Sequence, residues 1–142
     1  MMDMMQDPMA KQRYETVDML YSGVSEALGR LETAIMEKRI EDSANNLGDA
    51  LEGITILMDA VDVDAGGDAG AFLKGLYASI FANLSTVLVT RDVEAVKRST
   101  RYFRELRDLW RNRVLEPAAS SVTVSPETVS SEYQETGYMA QA

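Results

Sequence analysis

Residues 14–35 read YETVDMLYSGVSEALGRLETAI, with apolar side chains at Tyr14, Val17, Tyr21, Val24, Leu28, Leu31 and Ile35. Steps of three and four alternate without a lapse, which keeps one stripe of a helix facing a partner. The next segment repeats the rhythm with Ile40, Ala44, Leu47, Leu51, Ile54, Met58 and Val61. Two stripes of this kind, joined by the short Lys38-Arg39-Ile40 turn, predict an antiparallel helix pair.

Working outward, Asp7-Pro8 reads as an N-cap followed by proline at the first helical position, so the first helix spans about 9–38. The second occupies about 40–63. Gly66-Gly67 breaks the pattern and Asp68 serves as a cap for a third helix. That helix carries Phe72, Leu73, Leu76, Tyr77, Ile80, Phe81, Leu84, Val87 and Leu88, a band wider than one stripe. A band so wide predicts contacts on several sides and makes the third helix the expected most buried element. Thr90-Arg91-Asp92 supplies a turn and cap for a fourth helix over about 93–115, offering Val93, Val96, Phe103, Leu106, Trp110 and Val114. Its end is set by Pro117.

All three prolines (Pro8, Pro117, Pro126) lie outside residues 9–116, leaving the interior free of helix breakers. The expected class is therefore all-α: an up-down, antiparallel four-helix bundle. Its parts are an N-terminal segment over 1–8, the bundle domain over 9–116 and a Ser/Thr/Glu-rich tail over 117–142, whose composition predicts mobility. Gly23 and Gly29 interrupt the first helix, and a glycine kept there fits either a close neighbour or a tolerated surface position.

Composition narrows the function. The chain lacks cysteine and histidine, which removes disulfides, zinc sites of the Cys/His type and Cys- or His-based catalysis. Carboxylates are plentiful but form no convergent cluster in the sequence, so an enzyme is not expected, nor any cofactor. Asp62-Val-Asp64-Ala-Gly66-Gly67-Asp68 superficially resembles a calcium loop. Its fifth and twelfth positions are Gly66 and Leu73, where an oxygen ligand and Glu are required, so acidic turn chemistry suffices. The first residues lack the basic and apolar regions of a signal peptide, and no uninterrupted apolar stretch reaches the roughly 18 residues of a spanning helix. A cytoplasmic protein without membrane insertion is expected.

Net charge is −9 and uneven. Residues 1–90 hold six basic and fifteen acidic side chains, whereas residues 91–113 hold eight basic and four acidic. The overall acidity argues against nucleic-acid binding, because phosphates would be repelled. Arg98, Arg101, Arg104, Arg107 and Arg111 could attract an acidic partner. Glu94, Glu105 and Asp108 lie among them at helical spacing, so a salt-bridged, solvated surface is the simpler expectation.

The chain resembles the FliS family of flagellar export chaperones from about Tyr14 to Val114. The resemblance rests on Leu20-Tyr21-x-Gly23, Ala34-Ile35, Leu47, Ala50, Ile54, Met58-Asp59 before Gly66-Gly67, Leu76-Tyr77, Asp92 and Leu106-Arg107-x-x-Trp110. Order and spacing over some hundred residues give it its specificity. Two features depart from the family pattern: Ser22 stands where the family usually has Asp, and Pro8 precedes Tyr21 by more than the usual Ser-Pro interval.

The resemblance implies a cytoplasmic chaperone that binds the disordered C-terminal segment of flagellin, prevents premature polymerisation and aids secretion through the flagellar export system. Other flagellar export adaptors are further implied partners. The departures motivate an alternative, a regulatory or adaptor bundle with a non-flagellin client. The residues expected to meet the client are Leu20, Tyr21, Leu47, Leu51, Ile54, Met58, Leu76 and Tyr77, most of which helical periodicity also assigns to the core. The N-terminal methionines (Met1, Met2, Met4, Met5, Met9) and the tail's Val122, Val124, Tyr133, Tyr138 and Met139 are adaptable apolar groups that could cover an empty groove.

Overall fold

The computed structural model describes residues 8–61 and 63–112, the side chains of Ala10 and of residues 63–66 excepted. These residues form α1 (Pro8–Met36), α2 (Ile40–Ala60), α3 (Val63–Leu84), the single turn α4 (Val87–Thr90) and α5 (Val93–Arg111). The all-α bundle expected from the sequence is present.

Proline begins α1 as expected. The helix ends in a reversal at Lys38, which takes the left-handed conformation (φ 60°). There Arg39 N–H donates to Ala34 C=O (2.9 Å) and Lys38 N–H to Ile35 C=O (3.1 Å), satisfying carbonyls the helix end would otherwise orphan. The chain turns back at once into α2. Asp92 caps α5 by accepting a hydrogen bond from Ala95 N–H at 3.1 Å, as the sequence predicted.

Long-range contacts fix the directions. At one end Trp110 Nε1–H donates to Tyr14 C=O (3.0 Å), and the Arg111 guanidinium grips Asp18 through two bonds of 2.6 and 3.0 Å. At the other, Lys97 near the start of α5 lies 4.0 Å from Glu32 near the end of α1. Helices α1 and α5 are therefore antiparallel neighbours. α2 packs on the other side of α1, and α3 closes the bundle against α2 and α5, diagonal to α1.

The third helix is not the most buried element: α1 contributes the most residues to the core. Val17, Leu20, Tyr21, Val24, Ala27, Leu28, Leu31, Ala34 and Ile35 are all in the core, because α1 lies between α2 and α5. In α3 only the face carrying Leu73, Tyr77, Ile80 and Leu84 is buried, while Phe72 is 72% exposed. The wide apolar band thus reflects an unpartnered face. α3 also stops at Leu84 instead of running through Leu88, since the chain bends at Ser85-Thr86 before α4. Gly67 (φ 62°, ψ −143°) sits at a kink near the start of α3, a backbone geometry that only glycine adopts readily. In α2, Ile40 is 71% exposed and Ala44 is exposed, although the stripe included both. Ile40 starts its helix at the end of the bundle, where fewer neighbours cover it.

An aromatic nexus crosses the core. The hydroxyls of Tyr21 and Tyr77 hydrogen-bond at 2.5 Å, joining the diagonal pair α1 and α3. Tyr77 stacks on Phe103 at 6.1 Å between ring centroids, Tyr21 meets Phe103 and Trp110 at 6.3 and 6.5 Å, and Trp110 stacks on Tyr14 at 5.7 Å. Burial pushes Tyr21 up to about 12, a rise that the hydrogen bond from Tyr77 partly offsets. Burial also raises Tyr77 well above its ordinary value, helped by Tyr21. Both phenols stay neutral at physiological pH, each serving the other as hydrogen-bond partner.

Replacing Tyr77 by Phe leaves the buried Tyr21 hydroxyl alone and should cost about 1–3 kcal/mol in urea unfolding. The double replacement Tyr21→Phe with Tyr77→Phe should cost less than the sum of the two single changes, because it leaves no orphaned hydroxyl.

Candidate functional site

Two surfaces stand out. The first is the outer face of α3. The helix alternates its core residues with Ala71, Gly75, Ala78 and Ala82, all exposed, and with Phe72 standing out beside them. Lys74 is the one charged side chain between Ala69 and Leu84. By length and composition the stretch Gly67–Thr90 could cross a membrane, with a mean hydropathy of 1.4 in its best window, of which 28% is buried. The stretch is not uninterrupted, since Lys74 and several small polar residues fall within it. The bend at Ser85-Thr86 divides the stretch, and its buried face completes the bundle core. The exposed outer face is left over. Val89, 87% exposed, and the partly exposed Leu88 extend it past the bend.

The eight residues expected to meet a client divide into two sets. Leu20, Tyr21, Leu47, Ile54 and Tyr77 are core residues, at most 6% exposed. Leu51, Met58 and Leu76 are half-buried at the edge of the core. Leu76 lies one helical turn from Phe72, on the same flank of α3. Sequence periodicity could not separate the sets, since core and groove edge share a stripe. Phe72 was placed within the apolar band without being singled out. Its signal was a position out of step with the Leu73-Tyr77-Ile80-Leu84 series.

The second surface is a polar groove of about 660 Å³ between α1 and α2, lined by Glu26, Gly29, Arg30 and Thr33 on one side and Arg39, Asp42, Asn46 and Asp49 on the other. Arg30 Nε–H donates to Asn46 Oδ1 at 3.1 Å. Arg39 is paired with both Glu37 and Asp42. Asp49 is 4% exposed, and its Oδ1 has no hydrogen-bond partner among the described residues. Asp49 lies outside the apolar stripe that periodicity reports, so its burial follows from tertiary packing alone. Gly29 needs no close neighbour, because a Cβ built there would meet nothing within 4 Å. Its missing side chain opens the groove.

The basic strip on α5 is only partly salt-bridged. Lys97 reaches Glu32 and Glu94, Arg107 lies 3.9 Å from Asp108 and Arg111 holds Asp18, while Arg98, Arg101 and Arg104 make no ion pair among the described residues. Exposed pairs are worth little, so long side chains gain little by holding them. Among the described residues no cluster of three metal-ligating side chains occurs. The calcium-like stretch is only partly described, the side chains of 62–66 lying outside. Val114, Met1, Met2, Met4 and Met5 and the tail residues Val122, Val124, Tyr133, Tyr138 and Met139 also lie outside the described residues.

Burial raises the Asp49 carboxyl above its ordinary value, the charge of Arg30 working against the shift and that of Glu52 adding to it. A carboxylate raised in the folded state binds protons there more readily than in the unfolded chain. Its ionisation therefore weakens the fold as pH rises from the unfolded value near 4 through the raised value. Asp49→Asn should keep or raise stability at pH 7. It should also flatten that decline, read as denaturant midpoints at a series of pH values.

A family model described as flagellar protein FliS matches residues 4–117. No curated protein matches the chain.

Proposed function

Because this chain belongs to the FliS family of flagellar chaperones, matched over most of its length, we propose that it binds the disordered C-terminal segment of flagellin in the cytoplasm. Binding keeps that segment from polymerising early and delivers the subunit for export. The observation that carries this reading is the exposed outer face of α3, with Phe72 projecting from its flank and Val89 exposed beyond the bend.

A face rimmed with Ala and Gly lets the backbone of an incoming helix come close, and Phe72 supplies a projecting apolar anchor. Leu51, Met58 and Leu76 are the expected contact residues with surface left to offer; the other five support the face from within the core. A client that is unstructured when free loses conformational entropy as it winds into helices on the bundle. That cost limits affinity and makes release for export feasible. No chemistry is required of the chaperone, in keeping with a site of apolar contacts.

A synthetic peptide of the flagellin C-terminal segment should bind the full chain in about 1:1 ratio by titration calorimetry and gain helicity in circular dichroism. Phe72→Glu should weaken that binding by about tenfold or more, the loss of one large buried aromatic contact. The same change should shift folding stability by less than about 0.5 kcal/mol, since Phe72 is exposed in the free protein. A titration with neither heat nor helicity would reject flagellin as the client.

A further inference from the structure

We infer that the groove between α1 and α2 is a binding site for a cationic side chain, a lysine ammonium or an arginine guanidinium, carried by a partner polypeptide and seated on the carboxylate of Asp49. The groove involves α1, the helix diagonal to α3, so this surface is separate from the apolar face assigned to flagellin.

Four observations carry the inference. Asp49 lines the groove at 4% exposure with its Oδ1 unpartnered. A carboxylate withdrawn from water without a partner is a costly arrangement, and a cation that restores the missing contact recovers that cost. Of the protein's own nearby cations, Arg39 is engaged by Glu37 and Asp42, while Arg30 donates to Asn46 and acts on Asp49 through its charge without a hydrogen bond to Oδ1. The lining therefore holds three carboxylates (Glu26, Asp42, Asp49) against two guanidinium groups, one of which Asp42 already shares. Finally, Gly29 leaves space within 4 Å of where a side chain would stand, giving an approaching chain access to the α1 surface.

The volume and chemistry choose among cations. A groove of about 660 Å³ is far larger than a metal ion needs, and the described residues offer no set of three metal ligands. A small free cation held by one carboxylate would gain little, because much of the rest of the groove would stay filled with water. A polypeptide fills that space with its backbone and flanking side chains, while Thr33 and Asn46 supply polar groups along the walls. The ionic contact is then formed out of bulk water, where a charge-assisted hydrogen bond is strongest.

The test uses the full chain labelled with 15N and three capped pentapeptides, Ala-Ala-X-Ala-Ala, with arginine, lysine or neutral citrulline at X. The arginine and lysine peptides are expected to shift the amide signals of Gly29, Asn46 and Asp49 saturably, and the citrulline peptide to bind at least about tenfold more weakly, the loss of one charge-assisted hydrogen bond. Asp49→Asn should weaken the cationic peptides by the same factor. Gly29→Leu should do so by filling the groove while leaving the carboxylate in place; its Cβ meets no atom within 4 Å, and the amide spectrum of each variant checks that it is folded. Equal binding of the citrulline peptide, unchanged binding to either folded variant, or no saturable shift at these amides would overturn the assignment. Because no flagellin sequence is used, failure here leaves the flagellin reading standing, and the reverse holds too.

Discussion

The architecture depends on the packing of α1 between α2 and α5, locked across the bundle by the hydroxyl contact of Tyr21 with Tyr77. Two phenols in an apolar core would each cost free energy if left alone. Facing one another, they satisfy both groups and set the position of α3 relative to α1, although the backbones of that diagonal pair barely touch. Phe103 and Trp110 surround the contact with rings, and the Trp110 indole in turn closes on the Tyr14 carbonyl. Loosening this centre would free α3 first, since α3 has the fewest backbone contacts of the long helices.

That imbalance links fold to function. α1 packs core residues against two neighbouring helices, while α3 buries one face and leaves Phe72 exposed. A helix with apolar residues on both faces but neighbours on one is an incomplete layer of the bundle. Evolution of a monomeric, inert bundle would be expected to place charges on the outer face, as it has on α5 with its arginines and glutamates. The near absence of charge on α3 from Ala69 to Leu84 makes sense if that face is covered during the working cycle.

The polar groove answers a different constraint. Packing of α2 on α1 leaves one carboxylate, that of Asp49, buried with an oxygen unpartnered among the described residues. A protein optimised for stability alone would carry asparagine, serine or an apolar residue at position 49. The α1–α2 junction and the α3 face thus offer two surfaces of opposite chemistry on one scaffold, one apolar and broad, the other ionic and narrow.

From the sequence alone, much was legible. Periodicity in Tyr14–Ile35 and Ile40–Val61 identified both helices and most of the large core side chains of α1, because local propensity and burial agree where a helix has neighbours on both sides. In the second segment the stripe caught Leu47, Ile54 and Val61 but passed over Ala50, Ile56 and Leu57. Pro8 and Asp92 marked helix starts, and Gly67 a kink within α3, through backbone chemistry that acts within a few residues. The motif around Leu20-Tyr21, Leu76-Tyr77 and Trp110 led to the family. Tertiary structure decided the rest. Whether Phe72 or Leu73 faces the core, why α1 and not α3 is central, and how Asp49 becomes enclosed all depend on which helix lies against which. A stripe of apolar residues states that something must cover it. Only the assembled bundle shows which stripes are already covered and which still wait for a partner.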